Sequence, residues 1–148
     1  MSARRKGREL ALQVLYQLEM TSEASEQGMA AFAESFETTP RAQEFAWELV
    51  RGVLERRNEI DASIAEASEH WRFERLSRVD ANVIRIAVFE MTAPPGLPKE
   101  IAINEAIEVA RKYGTTESAN FVNGVLDQVA TRLGLKAGLP RSSPPPED

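Results

Sequence analysis

Apolar positions between Ile101 and Leu133 repeat at helical spacing twice in succession, with a short polar joint between the two runs. At about 100° per residue, Ile103, Ala106, Ile107, Ala110 and Tyr113 share one side, while Asn104, Glu105, Glu108, Arg111 and Lys112 share the other. Gly114 stands where a left-handed C-terminal cap needs a residue without Cβ, and Lys112 places a cation in the last turn, where it suits the helix dipole. Thr115, Thr116 and Ser118 offer N-cap oxygens for a second helix, whose apolar stripe is Phe121, Val122, Val125, Leu126, Val129 and Leu133. Gly134 ends it. Gly124, inside that helix, costs about 1 kcal/mol of propensity relative to alanine, which predicts close approach of another backbone there. The pair reads as an αα-hairpin at the centre of a core.

The same periodicity organises the rest of the chain. Leu10, Ala11, Val14, Leu15 and Leu18 are the buried stripe of a first helix reaching about Met20. Arg5, Arg8, Leu12 and Tyr16 form a second strip along it, predicted to face outward. Thr21 to Gln27 is a polar connection, and Met29, Phe32 and Phe36 anchor a short helix. Thr39 followed by Pro40 signals a helix start. From there Phe45, Leu49, Val53, Ile60, Ile64, Ala67 and Trp71 keep one strip, which favours one long helix; Arg56 and Arg57 interrupt it, which leaves open two helices with a break near Asn58. Ser77 and Asp80 form a capping box before Val83, Ile84, Ile86, Ala87, Val88, Phe89 and Met91, apolar almost all round and therefore central. Glu90 falls among them and needs a donor or an edge, since an unpaired buried carboxylate is expensive; its role reads as structural. The stretch from Ala93 to Pro98 is a turn that no helix crosses. No alternating strand pattern and no internal repeat occurs, so the fold is predicted to be all-α with about six or seven helices.

Composition adds limits. With 43% hydrophobic residues, 148 residues suffice for one domain, or two small ones sharing a core. The expected division is a helical domain over 1–137 and a mobile tail over 138–148, where three consecutive prolines leave little to bury. No run is apolar enough for a membrane span or a secretory signal, so the expected location is the cytoplasm. Without cysteine there is no thiolate metal site, and the single histidine, His70 beside Trp71, cannot alone hold a metal. No cofactor is expected.

Net charge is −5, yet the distribution is uneven. Arg4, Arg5, Lys6 and Arg8 crowd the start against Glu9, and an acidic stretch without Lys or Arg follows as far as Pro40. Such asymmetry suits an anionic partner at one end of the molecule, or a solvated tail. Guanidiniums beside an exposed phenol suit single-stranded nucleic acid, because arginine contacts phosphate while an aromatic plane stacks on an unpaired base. Phosphate-binding loops, nucleophile elbows and zinc-protease motifs are absent. Glu105 and Glu108 read as surface charges, with Glu108 paired to Lys112. These features predict a binding module, not an enzyme.

Three segments carry a resemblance: RRKGRELALQVLYQ from Arg4 to Gln17, RVDANVIRIAVFEM from Arg78 to Met91, and PKEIAINEAIEVARKYG with SANFVNGVLD from Pro98 to Asp127. Together the chain resembles the NusB family of bacterial transcription factors from Arg4 to about Leu133. The resemblance implies two packed three-helix subdomains. It also implies binding to the boxA element of nascent RNA together with ribosomal protein NusE, helping RNA polymerase resist termination, notably in ribosomal RNA operons. By the same resemblance the RNA-binding residues are Arg4, Arg5, Lys6, Arg8, Tyr16, Tyr113, Glu117 and Phe121, and Asp80 matches a NusE-contacting position, with helix capping as the competing explanation. A carboxylate near phosphate is repulsive, so Glu117→Asn is predicted to strengthen RNA binding.

Gly7 replaces an alanine common in the family, which predicts a looser helix start. Four arm cations neutralise about four phosphates at most, giving a log–log salt slope no steeper than about −3 for single-stranded RNA. Binding alone should be modest and NusE should strengthen it, with RNA strengthening the NusE association to the same degree. Two rival readings remain at this point. One is the similar domain at the front of ribosomal RNA methyltransferases, which needs a cofactor-binding domain beyond this sequence. The other is a homodimer that buries the exposed aromatics.

Overall fold

The computed structural model describes residues 2–21, 38–68 and 76–135. Among them lie six helices and no strand: α1 (Ala3–Thr21), α2 (Pro40–Glu55), α3 (Arg57–Ala67), α4 (Arg78–Thr92), α5 (Lys99–Tyr113) and α6 (Ser118–Arg132). The all-α expectation therefore holds. The short helix expected around Met29, Phe32 and Phe36, the His70–Trp71 pair and the proline-rich tail lie outside the described residues.

Local signals explain most of the helix ends. Thr39 is the N-cap of α2, its Oγ1 accepting from the Ala42 N–H at 3.1 Å, with Pro40 in the first turn. Ser77 caps α4 in the same way, accepting from the Asp80 N–H at 3.0 Å. Gly134, at φ 68°, closes α6 in the left-handed region that glycine adopts without penalty. The long helix expected from residue 40 to 71 is instead two helices: Arg56 leaves helical geometry at φ −108° and ψ 18°, and the strip is broken where two arginines replace apolar residues.

The central element is α4, which touches every other helix. It is buried on nearly all sides, as its sequence predicts. α4, α5 and α6 form one three-helix unit, α1 packs chiefly on α2, and α3 leans on α6 and α4. Ion pairs at both ends show that α1 and α4 run in opposite directions: Arg8 reaches Glu90, while Arg85 and Arg78 reach Glu19.

Three glycine expectations change. Gly114 is extended, at φ −97° and ψ −160°, not left-handed; a Cβ there would lie 2.3 Å from Ser118 Oγ and 2.8 Å from the Ala110 carbonyl oxygen. The joint needs glycine for space. Among the described residues, no atom of another element lies within 4 Å of where a Cβ on Gly124 would stand, so none of their backbones approaches it closely. Gly7 is buried in an uninterrupted helix, where a Cβ would come within 2.8 Å of the Phe45 ring and 3.0 Å of the Ala42 carbonyl oxygen. It brings α2 close to α1 and does not loosen the helix start.

Candidate nucleic-acid interface

The start of α1 is held by carboxylates from two other helices. Arg8 is only 2% exposed. Its Nε and Nη2 donate to the two carboxylate oxygens of Glu90 at 2.8 and 2.9 Å, and its Nη1 donates to Glu105 Oε1 at 3.1 Å. Arg5 also donates to Glu105, from Nε at 3.1 Å to Oε1 and from Nη2 at 2.8 Å to Oε2. The guanidiniums of Arg4 and Arg8 each lie within 5.6 Å of the centre of the Phe45 ring, a favourable contact between a cation and an aromatic face.

The outward strip predicted along α1 therefore needs correction. Arg8 and Leu12 are both buried, because α2, α4 and α5 enclose the first half of the helix. At Tyr16 the strip opens, with that side chain 38% exposed, and Met20 one turn further is more exposed still. Lys6 is exposed near the start. Glu105 is likewise not a surface charge, and Glu108 pairs with Arg111 rather than Lys112. Glu90 finds its donor in Arg8, as its structural reading required.

The burial of Glu105 and of Arg8 was legible in spacing. Ala102 and Val109 flank Glu105 at three and four residues, and both are buried; Ala11, Leu12 and Leu15 place Arg8 on the same inner face of α1. The hydrogen bonds from Arg5 hold the Glu105 carboxyl below its ordinary value of 4.5, against the opposing effect of burial and with help from the charge of Arg8. The folded state thus favours the ionised acid. Its contribution to stability is complete above the unfolded value and is lost as pH falls through the folded one. Melting temperature is accordingly expected to drop on acidification below about pH 4.5, and the drop should be shallower in Glu105→Gln. A parallel drop in both proteins would refute this linkage.

Tyr113, at the end of α5, is tied to the same face of α1. Its hydroxyl donates to Glu9 Oε1 at 2.9 Å and accepts from Gln13 Nε2 at 3.1 Å. Lys112 Nζ donates to that Glu9 oxygen at 2.9 Å. Burial, followed by the bond to Glu9, pushes the phenol above its usual pKa and keeps it a neutral donor. The hairpin joint is thereby fastened beside the arm. Ser118 Oγ accepts from the Thr115 N–H at 2.9 Å, so Ser118 locks the joint from inside α6, whose N-cap is Glu117 with no side-chain cap bond. Glu117 is exposed, and Phe121 is partly buried against the core one turn later.

Arg5 and Tyr113 thus belong to one contact between α1 and α5, Arg5 through Glu105 and Tyr113 through Glu9. Asp80 does not. It sits in the first turn of α4, near the far end of α1, about 15 Å along the helix from Arg8 at 1.5 Å per residue. Its Oδ1 is buried and has no hydrogen-bond partner among the described residues. Among the described residues, no group of His, Asp and Glu is placed to hold a metal ion, and no helix is long and apolar enough to cross a membrane.

Comparison with known proteins agrees with the all-α fold. The chain is 50% identical to the transcription antitermination protein NusB of Myxococcus xanthus over 137 residues, covering 90% of this chain and 98% of that one. It is 45% identical to the protein of the same name from Geobacter sp. strain M21, covering 90% and 97%. Among solved structures, T. maritima NusB superposes with a TM-score of 0.76 at 37% identity, covering 86% of this chain and 90% of that one. A crystal structure of antitermination factors NusB and NusE in complex with double-stranded RNA shares the fold, with a TM-score of 0.76 at 23% identity over 88% and 97%. The NusB family model matches residues 5–131, nearly the whole of the described structure, and the chain belongs to the NusB family.

Proposed function

We propose that this protein is a transcription antitermination factor that binds the boxA element of nascent ribosomal RNA together with ribosomal protein NusE, and acts on RNA polymerase through that complex without catalysing a reaction. The observation that carries this reading is the open side of α1, where Arg4, Arg5 and Lys6 stand at one end and the exposed Tyr16 follows on the same helix. The antitermination proteins among its relatives support it, as does the assembly with NusE and RNA crystallised for a protein of the same fold. In this reading residues 1–137 are the RNA-binding domain and the protein works in the cytoplasm. Arg4, Arg5, Lys6, Tyr16, Tyr113, Glu117 and Phe121 line the RNA path. Arg8, buried between two carboxylates, positions the arm instead of touching phosphate. Asp80, partly exposed in the first turn of α4, faces NusE.

The test is a fluorescence titration of a boxA-like single strand and a scrambled control, with and without NusE, at two salt concentrations. Preference for the boxA-like strand, sharpened by NusE, is the expected result; equal binding of both strands in the presence of NusE would sink the reading. The exposed carboxylate at the hairpin joint gives a finer check. Replacing Glu117 with Asn removes a charge that repels phosphate and should tighten RNA binding several-fold at low salt, less at high salt, because screening weakens the repulsion. Equal or weaker binding would take Glu117 off the RNA path.

A further inference from the structure

Glu105 holds two guanidiniums of very different freedom. Arg8 is buried and doubly bonded to Glu90, so it cannot leave. Arg5, whose side chain is 38% exposed, grips the same carboxylate with the two-point fork that arginine also offers to phosphate. If Arg5 turned outward, Glu105 would keep its bond from Arg8 Nη1 and would not be left without a partner. The structure thus contains a carboxylate seated where an RNA phosphate would sit on Arg5, with a second cation already in place for the exchange.

Resting on the RNA-binding reading, we propose that Glu105 sets the affinity of the arm for RNA by competing with phosphate for Arg5. Arg5 and Arg8 are both matched by carboxylates in the free protein, so the arm presents less charge than its four cations suggest. The salt slope should fall short of the bound of about −3 set by four phosphates. Removing the competitor releases one guanidinium. Arg5 divides between Glu105 and phosphate in the bound unmodified protein, so in Glu105→Gln the slope should steepen by up to about 0.7, the value of one further phosphate on a single strand. Binding at low salt should tighten about two- to fivefold, the strength of a partly exposed ion pair.

Two comparisons isolate the cause. Glu108→Gln removes the same charge from the exposed side of α5, where its partner is Arg111, and should leave the slope unchanged. Adding Glu105→Gln to Arg5→Ala should give no gain, because the guanidinium to be released is gone. The unmodified protein offers a readout that does not depend on the variants folding: the Nε–H resonance of Arg5 should move on saturation with the boxA-like RNA while that of Arg8 stays. The competition is overturned if Glu105→Gln, folded as judged by its melting curve, binds more weakly or with an unchanged slope, or if the Arg5 resonance does not respond to bound RNA. No RNA binding by the unmodified protein, with or without NusE at low salt, would instead overturn the RNA reading and this inference with it. If the RNA binds normally and only the slope or resonance fails, the RNA reading survives and the role of Glu105 does not.

Discussion

Arg8→Ala is expected to destabilise the fold by about 3–5 kcal/mol, the cost of removing one partner from a buried ion pair. The substitution would leave Glu90 and Glu105 inside the protein with no Arg8 charge between them, and Glu105 alone would retain Arg5. It would also remove one of the two cations beside Phe45. The midpoint of urea unfolding reads this loss directly, provided the slope of the transition is unchanged. Arg5→Ala, which breaks a half-exposed contact, should cost no more than about 1 kcal/mol. The contrast matters because both residues belong to the same basic cluster. A stable Arg8→Ala protein that had lost only RNA affinity would make Arg8 a phosphate contact and refute the positioning role.

Tyr16→Ala should weaken RNA binding by about 1–3 kcal/mol, or about 5- to 150-fold, if one base stacks on the phenol. Because the ring is 38% exposed and lies where α1 emerges from its neighbours, the fold should tolerate its loss. Tyr16→Phe keeps the stacking plane and should bind nearly as well. An alanine variant with unchanged affinity, measured with NusE present, would remove Tyr16 from the interface.

The helices were readable from the sequence because their signals are local. Thr39–Pro40 and Ser77 cap as their positions predict, and the apolar ring around α4 announces a central helix. The candidate site was less legible. The charges of Arg8 and Glu105 assigned them to the surface, whereas their three- and four-residue spacing from buried alanines, leucines and valines placed them inside. Charge won that reading because each buried ion requires a partner, and the partners stand 82 and 97 residues apart in sequence. The break at Arg56 was obscured for the opposite reason: the apolar strip continues past it, although the backbone does not. The resemblance to known proteins supplied boxA and NusE, which spacing and charge could narrow only to a single-stranded nucleic acid.

The ion pairs that fasten α1 also bear on the order in which the chain acquires its structure. Glu90 and Glu105 follow Arg8 by 82 and 97 residues. During synthesis at about 5–20 residues per second, roughly 4–20 s therefore separate the emergence of the arm from that of its carboxylates. Throughout that interval the arm's guanidiniums lack the acids that later restrain them. The carboxylates that restrain Arg8 are thus made well after it, and this part of the hold on α1 forms only once α4 and α5 have been synthesised.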